Sequence, residues 1–185
     1  MHLIIGLGNP GKKYLDTRHN IGFSYLEYIR QEWNFPPFRD NASFRAECSE
    51  GRIDTEKILL ARPRTFMNRS GDAVQKISRF YKIESNHIAV IHDDLDIPLG
   101  EVRESFDSRS AGHNGVEDII GALNTKEFFR FRIGIKNPKE RTIENSQKDT
   151  AAFVLEPFSA DEYAAIEKIF PNITERLQTW IEARG

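Results

Sequence analysis

The residues able to move a proton are few in this chain. There are five histidines: His2, His19, His87, His92 and His113. His19 lies in Thr17-Arg18-His19-Asn20, just ahead of a helical pattern, and His113 stands before Asn114-Gly115 at the start of another. His92-Asp93-Asp94-Leu95-Asp96 ends an apolar run. A neutral imidazole can take a proton from water near pH 7, and a carboxylate fixes its tautomer and stabilises the imidazolium that forms. Such a His–Asp pair can hydrolyse an ester without a protein nucleophile, and no G-x-S-x-G elbow is present to carry an acyl-serine route. The carboxamides of Asn9, Asn68 and Asn114 could bind a substrate carbonyl and the oxyanion that grows from it. Taken one residue at a time, other readings stay open. A lone histidine before a helix serves as a surface or capping group. Three acids after a strand bind a divalent cation, orient a histidine or cap a turn, and capping is the favoured assignment. No H-x-x-x-H or H-x-H spacing gives a histidine metal site local support.

Gly6-Leu7-Gly8-Asn9-Pro10-Gly11 matches the G-x-G-x-x-G fingerprint literally. A dinucleotide site also needs a helix opening on those glycines and an acid ending a second strand about 20 residues on. Here Pro10 falls inside the turn, the polar stretch Lys12–Arg18 follows, and no apolar strand ends in Asp or Glu near position 30. The motif reads instead as a turn that needs glycine for positive φ and that aims the Asn9 amide into a cleft. An amide is both donor and acceptor, which suits a peptide group.

The elements that must hold these residues alternate between strands and helices. Strands are expected at His2–Leu7, Phe44–Cys48, Lys57–Ala61, Ile88–His92, Glu101–Phe106 and Phe129–Ile135. Helical spacing runs through Asn20–Trp33, then from Ser70 as N-cap along Val74, Ile77 and Phe80/Tyr81, then through Val116, Ile119, Ile120 and Leu123. Ser159 with Glu162 forms a capping box opening a long C-terminal helix, which Pro171 should kink or split. Alternation of this kind is α/β, with functional loops at the carboxyl ends of strands. Gly8–Gly11 and Asp93–Asp96 both lie at such ends. With 185 residues and no repeat or linker, the expectation is one domain spanning residues 1–185.

Composition narrows the class further. Hydrophobic residues make up 39% and charged residues 29%, enough apolar material for a folded core. No run approaches the roughly 18 apolar residues of a membrane span, and Met1 leads straight into strand-like residues, so neither a membrane helix nor a signal peptide is expected. Cys48 is the single cysteine, which excludes an internal disulfide and fits the cytoplasm. The net charge of −2 argues against nucleic-acid binding by bulk charge. Between Arg130 and Arg141, however, Arg130, Arg132, Lys136, Lys139 and Arg141 face only Glu140, and from Glu156 onward acids predominate. A basic strip able to bind phosphate could be hidden in that total, or both stretches could be ordinary solvated faces.

In order along the chain, Gly6–Gly11, Tyr14 with Thr17–Asn20, Pro63 with Thr65-Phe66-Met67-Asn68 and Ser70-Gly71, His92–Asp96, Gly112-His113-Asn114-Gly115 and Arg132–Ile135 resemble the bacterial peptidyl-tRNA hydrolase family. The resemblance implies a single α/β globule with a mixed twisted sheet flanked by helices. It implies cleavage of the ester between a peptide and the terminal ribose of tRNA, with no metal or organic cofactor. His19 would be the general base that activates water, and Asp93 would orient it and stabilise its basic form. Asn9 would help tell peptidyl-tRNA from aminoacyl-tRNA. Tyr14, Phe66, Asn68 and Asn114 would contact the acceptor end or the peptide, His113 would line the cleft as a supporting group, and Arg132 would contact phosphate with Lys136 nearby. The expected partner is peptidyl-tRNA, with no membrane and no obligate protein partner, for a cytoplasmic monomer. A second reading keeps the scaffold without the chemistry: a non-catalytic RNA-binding protein, as among splicing-factor relatives of the family.

Two departures stand out. The segment before His113 is glycine-rich in the family, but here Asp107, Ser108, Arg109 and Ala111 occupy positions where glycine is expected. Side chains there should stiffen the loop. Ser105 stands where a basic residue is expected, and Arg103 or Arg109 is the candidate replacement.

Overall fold

A computed structural model of the chain describes residues 1–136 and 147–185. Lys139 and Arg141 of the basic strip lie outside the described residues. The frame is a seven-stranded mixed sheet in the order β2-β3-β4-β1-β5-β7-β6. Its strands are β1 (His2–Gly6), β2 (Arg39–Asn41), β3 (Ala46–Ile53), β4 (Glu56–Pro63), β5 (Ile88–Pro98), β6 (Val102–Ser105) and β7 (Phe129–Lys136). β1 is parallel to β4 and β5, and β5 is parallel to β7. Antiparallel hairpins add β3 and β2 at one edge, and β6, which is joined to β7 through a helix, pairs antiparallel at the other. The central strands are covered on both faces, so β1 is buried at every position and reads as an unbroken apolar run.

Helices cover both faces. α1 (Ile21–Glu32), α5 (Ala160–Glu167) and α6 (Phe170–Glu182) close one core through Ile21, Tyr25, Leu26, Ile166, Phe170 and Leu177, packed against Ile4, Ile91 and Phe131. α2 (Ser70–Tyr81) and α3 (Asn114–Leu123) close the other through Val74, Ile77, Val116 and Ile119, packed against Ile5, Leu7 and Val90. A short α4 (Gln147–Val154) adds Phe153 and Val154 to a small cluster with Ile135.

Several local expectations change. β3 starts at Ala46 because Arg45 takes a left-handed φ of 54° and turns the chain. Ser70 does not cap α2; it is the first helical residue, and its hydroxyl donates to the Met67 carbonyl. The Ser159–Glu162 capping box is present in both halves. The long C-terminal helix is split: α5 ends at Glu167, and Pro171 lies in the first turn of α6, where its missing N–H leaves no gap. β5 runs on through Pro98, past the apolar segment, with its pairing to β7 shifting register between Asp94 and Pro98.

One close approach sets the position of α1 over the sheet. A Cβ on Gly22 would fall 2.4 Å from the Leu7 nitrogen and 2.5 Å from the Ile91 oxygen, and one on Gly6 would fall 2.3 Å from the Gly22 oxygen. Only paired glycines let the first turn of α1 rest on the ends of β1 and β5. Every obstructing atom at Gly22 is rigid backbone, so Gly22→Ala must displace the helix. The expected loss of stability is about 3 kcal/mol, at the upper end of overpacking costs, read as a lowered urea midpoint with an unchanged slope.

Candidate active site

The sheet topology brings the carboxyl ends of β1, β4, β5 and β7 to one edge, and the polar residues gather there. His19 sits in a one-turn 3-10 helix, Arg18–Asn20, directly ahead of α1. Its Nδ1 lies 2.9 Å and 3.1 Å from the two carboxylate oxygens of Asp93 in β5. His113 comes from the opposite layer and is the N-cap of α3. Its Nδ1 accepts the Val116 backbone N–H, so Nε2 carries the proton and donates to Asp93 Oδ1 at 3.1 Å. Asp93 is 2% exposed and therefore receives two imidazole N–H groups. With Nδ1–H of His19 committed to the carboxylate, Nε2 holds the lone pair, and it reaches the surface. That is the tautomer a general base requires.

The charges favour the same assignment. Burial alone would raise the Asp93 pKa, but the two imidazoles and their hydrogen bonds hold it far below the usual carboxylate range. Burial lowers the proton affinity of His19, while the Asp93 charge and hydrogen bond raise it further, so the net result is a pKa above the ordinary 6.5. The buried His92 packs edge-on to His113 with centroids 4.6 Å apart, and its Nδ1–H donates to the Asp93 carbonyl at 2.6 Å. Burial first, then His113, holds His92 neutral. His19 Nδ1, Asp93 and His113 Nε2 also lie close enough together to be weighed as a metal site. Both nitrogens point their protons at the carboxylate, so an ion would have to displace two hydrogen bonds; the arrangement suits proton handling.

The three acids in the second half of β5 thus divide their roles. Asp93 orients histidines, Asp94 Oδ1 accepts the Asp96 N–H while its Oδ2 accepts from Arg132, and only Asp94 matches the turn-capping expectation. The His113 ring does cap a helix as well as supporting the site, whereas His19 is no cap.

The amides do not share one pocket. Asn20 ties the two turns together: its Nδ2 donates to the Asn9 carbonyl at 3.0 Å and its Oδ1 accepts the Asn9 N–H at 2.8 Å. Asn9 Oδ1 in turn accepts the Met67 N–H at 2.8 Å. Only the donor half of the Asn9 amide, Nδ2, remains available; Asn9 is also among the residues lining a groove of about 700 Å³ beside α1, which includes none of His19, Asp93 and His113. Asn68 and Asn114 are exposed and line a separate groove of about 620 Å³ between α2 and α3. Tyr14 and Phe66 meet edge-on at 6.5 Å, with Phe66 56% exposed. One positioning residue carried no distinct signal in the sequence. Arg18 is buried; its guanidinium reaches both oxygens of Glu162 at 3.2 Å and 3.3 Å and lies over the Phe153 ring, clamping the His19 turn to the C-terminal segment.

Residues 3–184 match the family model described as peptidyl-tRNA hydrolase. The chain is 40% identical to the peptidyl-tRNA hydrolase of Brevibacillus brevis over 97% of this chain and 91% of that protein. It is 39% identical to that of Clostridium tetani over 98% and 91%. The crystal structure of peptidyl-tRNA hydrolase from Acinetobacter baumannii superposes with a TM-score of 0.90, at 30% identity, covering 100% of this chain and 90% of that one. The chain belongs to the peptidyl-tRNA hydrolase family.

The loop before His113 turns through left-handed residues that carry side chains. Asp107 and Ala111 adopt φ of 44° and 52°, the left-handed region that costs a side-chain-bearing residue roughly 1–2 kcal/mol. Buried Arg130 holds this loop by donating to the Arg109 carbonyl at 2.8 Å and to Ser108. The basic strip is therefore not one surface. Arg130 is interior, whereas Arg132 is partly exposed, with Nε on Asp94 at 2.8 Å. Arg103 stands directly across from Arg132 in the β6–β7 register.

His19 is basic only when neutral, so activity should fall on the acid side as it takes up a proton, at a pH above 6.5. Asp93→Asn removes the charge that raises its pKa and leaves the burial that lowers it. The acidic limb of kcat/KM should therefore move to lower pH, with kcat reduced by roughly 10²–10⁴. An unmoved limb would show that Asp93 does not govern His19.

Proposed function

We propose that this protein hydrolyses the ester joining a peptide to the terminal ribose of tRNA, with His19 as general base and Asp93 as its orienting partner. The observation that carries this is the Nδ1–H of His19 bound to a buried carboxylate, which leaves the lone pair on Nε2 of a side chain that is 12% exposed. His19 Nε2 takes a proton from water as the water oxygen bonds to the ester carbon. On this reading Asn9 Nδ2, the half of its amide left unpaired, donates to a substrate carbonyl. Collapse of the tetrahedral intermediate breaks the bond to the ribose oxygen, which takes the proton back from the imidazolium. His113 adds a second donor to Asp93 and keeps the carboxylate ionised.

On this reading the acceptor end lies against Tyr14 and Phe66, with Asn68 and Asn114 along its path. Arg132 meets phosphate: Asp94 occupies its Nε and leaves both Nη groups as a fork. Arg103 is the cation that compensates for Ser105, since it shares the face and register of Arg132, although Glu101 lies 3.4 Å from it. We assign the protein as a single-domain cytoplasmic monomer; among the described residues no helix is long and apolar enough to cross a membrane. The reading as a non-catalytic RNA-binding protein finds no support. The matched relatives are named hydrolases, and a bare binder has no use for a carboxylate buried against two imidazoles.

Wild-type protein should release N-acetyl-amino acid from N-acetyl-aminoacyl-tRNA. His19→Ala should abolish turnover while its circular dichroism stays native; full activity in that variant would remove the mechanism. Arg132→Ala should weaken tRNA binding and reduce the slope of log affinity against log salt by about 1. Unaltered affinity at low salt would refute the phosphate assignment.

A further inference from the structure

The turn that carries His19 is too short to hold itself. It is closed by the Asn20 N–H on the Thr17 carbonyl and the Ile21 N–H on the Arg18 carbonyl. A 3-10 helix has three residues per turn, so the side chains of Arg18, His19 and Asn20 leave it about 120° apart. Each finds its partner in a different part of the fold. Asn20 meets the Asn9 turn, His19 meets Asp93 in β5, and Arg18 meets the C-terminal segment. The place of the imidazole is thus set from both sides by its two chain neighbours.

The Arg18 side is the more heavily built. Residues 16–18 run antiparallel to 156–158: the Arg18 N–H donates to the Glu156 carbonyl at 3.0 Å, the Phe158 N–H to the Asp16 carbonyl at 3.2 Å, and Thr17 faces Pro157. The guanidinium crosses this joint. It donates to both Glu162 oxygens at 3.2 Å and 3.3 Å and to the Phe153 carbonyl and Glu156 Oε2 at 3.4 Å each. Its carbon lies 4.1 Å from the centre of the Phe153 ring. The side chains of Arg18 and Glu162 are 4% and 8% exposed, so the pair is desolvated and holds only in good geometry. Glu162 is itself fixed, because its carboxylate also accepts the Ser159 N–H at 2.7 Å and Ile166 anchors its helix in the core.

The contact next to this brace has little slack. His19 Nδ1 lies 2.9 Å and 3.1 Å from the Asp93 oxygens, and a hydrogen bond weakens steeply as it lengthens or bends. The titratable groups around the imidazole are Asp93 and His113, whose ring centre is 5.0 Å away, with His92 packed behind His113. Of these, Asp93 is the one that raises the proton affinity of His19. Resting on the hydrolase reading above, we propose that Arg18 is a positioning residue for the reaction: its ion pair with Glu162 sets the distance between His19 and Asp93 and thereby the rate at which His19 takes a proton from water.

The test uses the whole chain with N-acetyl-aminoacyl-tRNA as substrate, and NMR of 15N-histidine-labelled protein to follow the His19 ring. Glu162→Gln keeps an acceptor for the Ser159 N–H and removes the charge that holds Arg18. It should lower kcat about tenfold, the scale of a displacement well under about 1 Å, with KM changed less than about twofold. The His19 titration and the acidic limb of kcat/KM should both move to lower pH, because a more distant Asp93 raises the imidazole's proton affinity less. Arg18→Met combined with Glu162→Gln removes both charges and should keep the limb displaced, which separates position from the effect of an unmasked arginine charge. Tyr25→Phe, which breaks the Tyr25–Thr174 hydrogen bond between α1 and α6, should lower the urea midpoint and leave kcat and the limb unchanged. A wild-type His19 titration in Glu162→Gln, or a limb restored to its wild-type position in the double variant, would overturn the proposal. If Glu162→Gln does not fold, Arg18→Lys, which keeps the charge but loses the two-oxygen fork, is read by the same titration. Failure of the wild type to cleave the substrate would overturn the hydrolase reading, while the His19 titration would still decide whether Arg18 positions that ring.

Discussion

A carboxylate taken out of water must be repaid in hydrogen bonds, and Asp93 is repaid by two imidazole N–H groups from opposite layers of the fold. Its ionisation holds His19 in the tautomer with Nε2 free and lifts that nitrogen's proton affinity. The same charge accepts the His113 ring, whose other nitrogen is held by the start of α3. Burial, tautomer and basicity thus follow from one buried charge. Removing Asp93 leaves two imidazole protons unmatched.

The remainder of the fold keeps these groups in register. Gly6 and Gly22 let α1 approach the sheet closely enough for the turn ahead of it to meet β5. Asn20 ties that turn to the Asn9 turn, and Arg18 ties it to Glu162, which also completes the capping box of α5. The C-terminal segment, remote in sequence, therefore braces the His19 turn through a buried ion pair. Rigid support of this kind matters because proton transfer depends on donor–acceptor distance within a narrow range.

The basic residues show how little net charge says about a local surface. Of the arginines on β7, Arg130 is spent on loop carbonyls and Arg132 is held by Asp94 with its fork outward. Arg130 supports a loop whose Asp107 and Ala111 adopt backbone angles better suited to glycine. Interior hydrogen bonds from Arg130 hold that backbone in place.

Local sequence was enough for much of the scaffold. The apolar runs of β1 and β5, the stripe Val116–Leu123, the Ser159–Glu162 box and the break at Pro171 are short-range patterns whose periodicity or capping chemistry is complete within a few residues. The ordered motifs also identified the family and singled out His19 and Asp93. Apart from that resemblance, local sequence could not tell which of the three acids in β5 receives an imidazole, that Asn9 has only its donor half to offer, or that Arg130 faces inward and Arg132 outward. Those outcomes depend on partners 20 to 74 residues away along the chain for Asp93 and 58 for Asn9. Strand order and close helix packing choose such partners, because an ionised or amide group takes its role from whatever tertiary contact satisfies it.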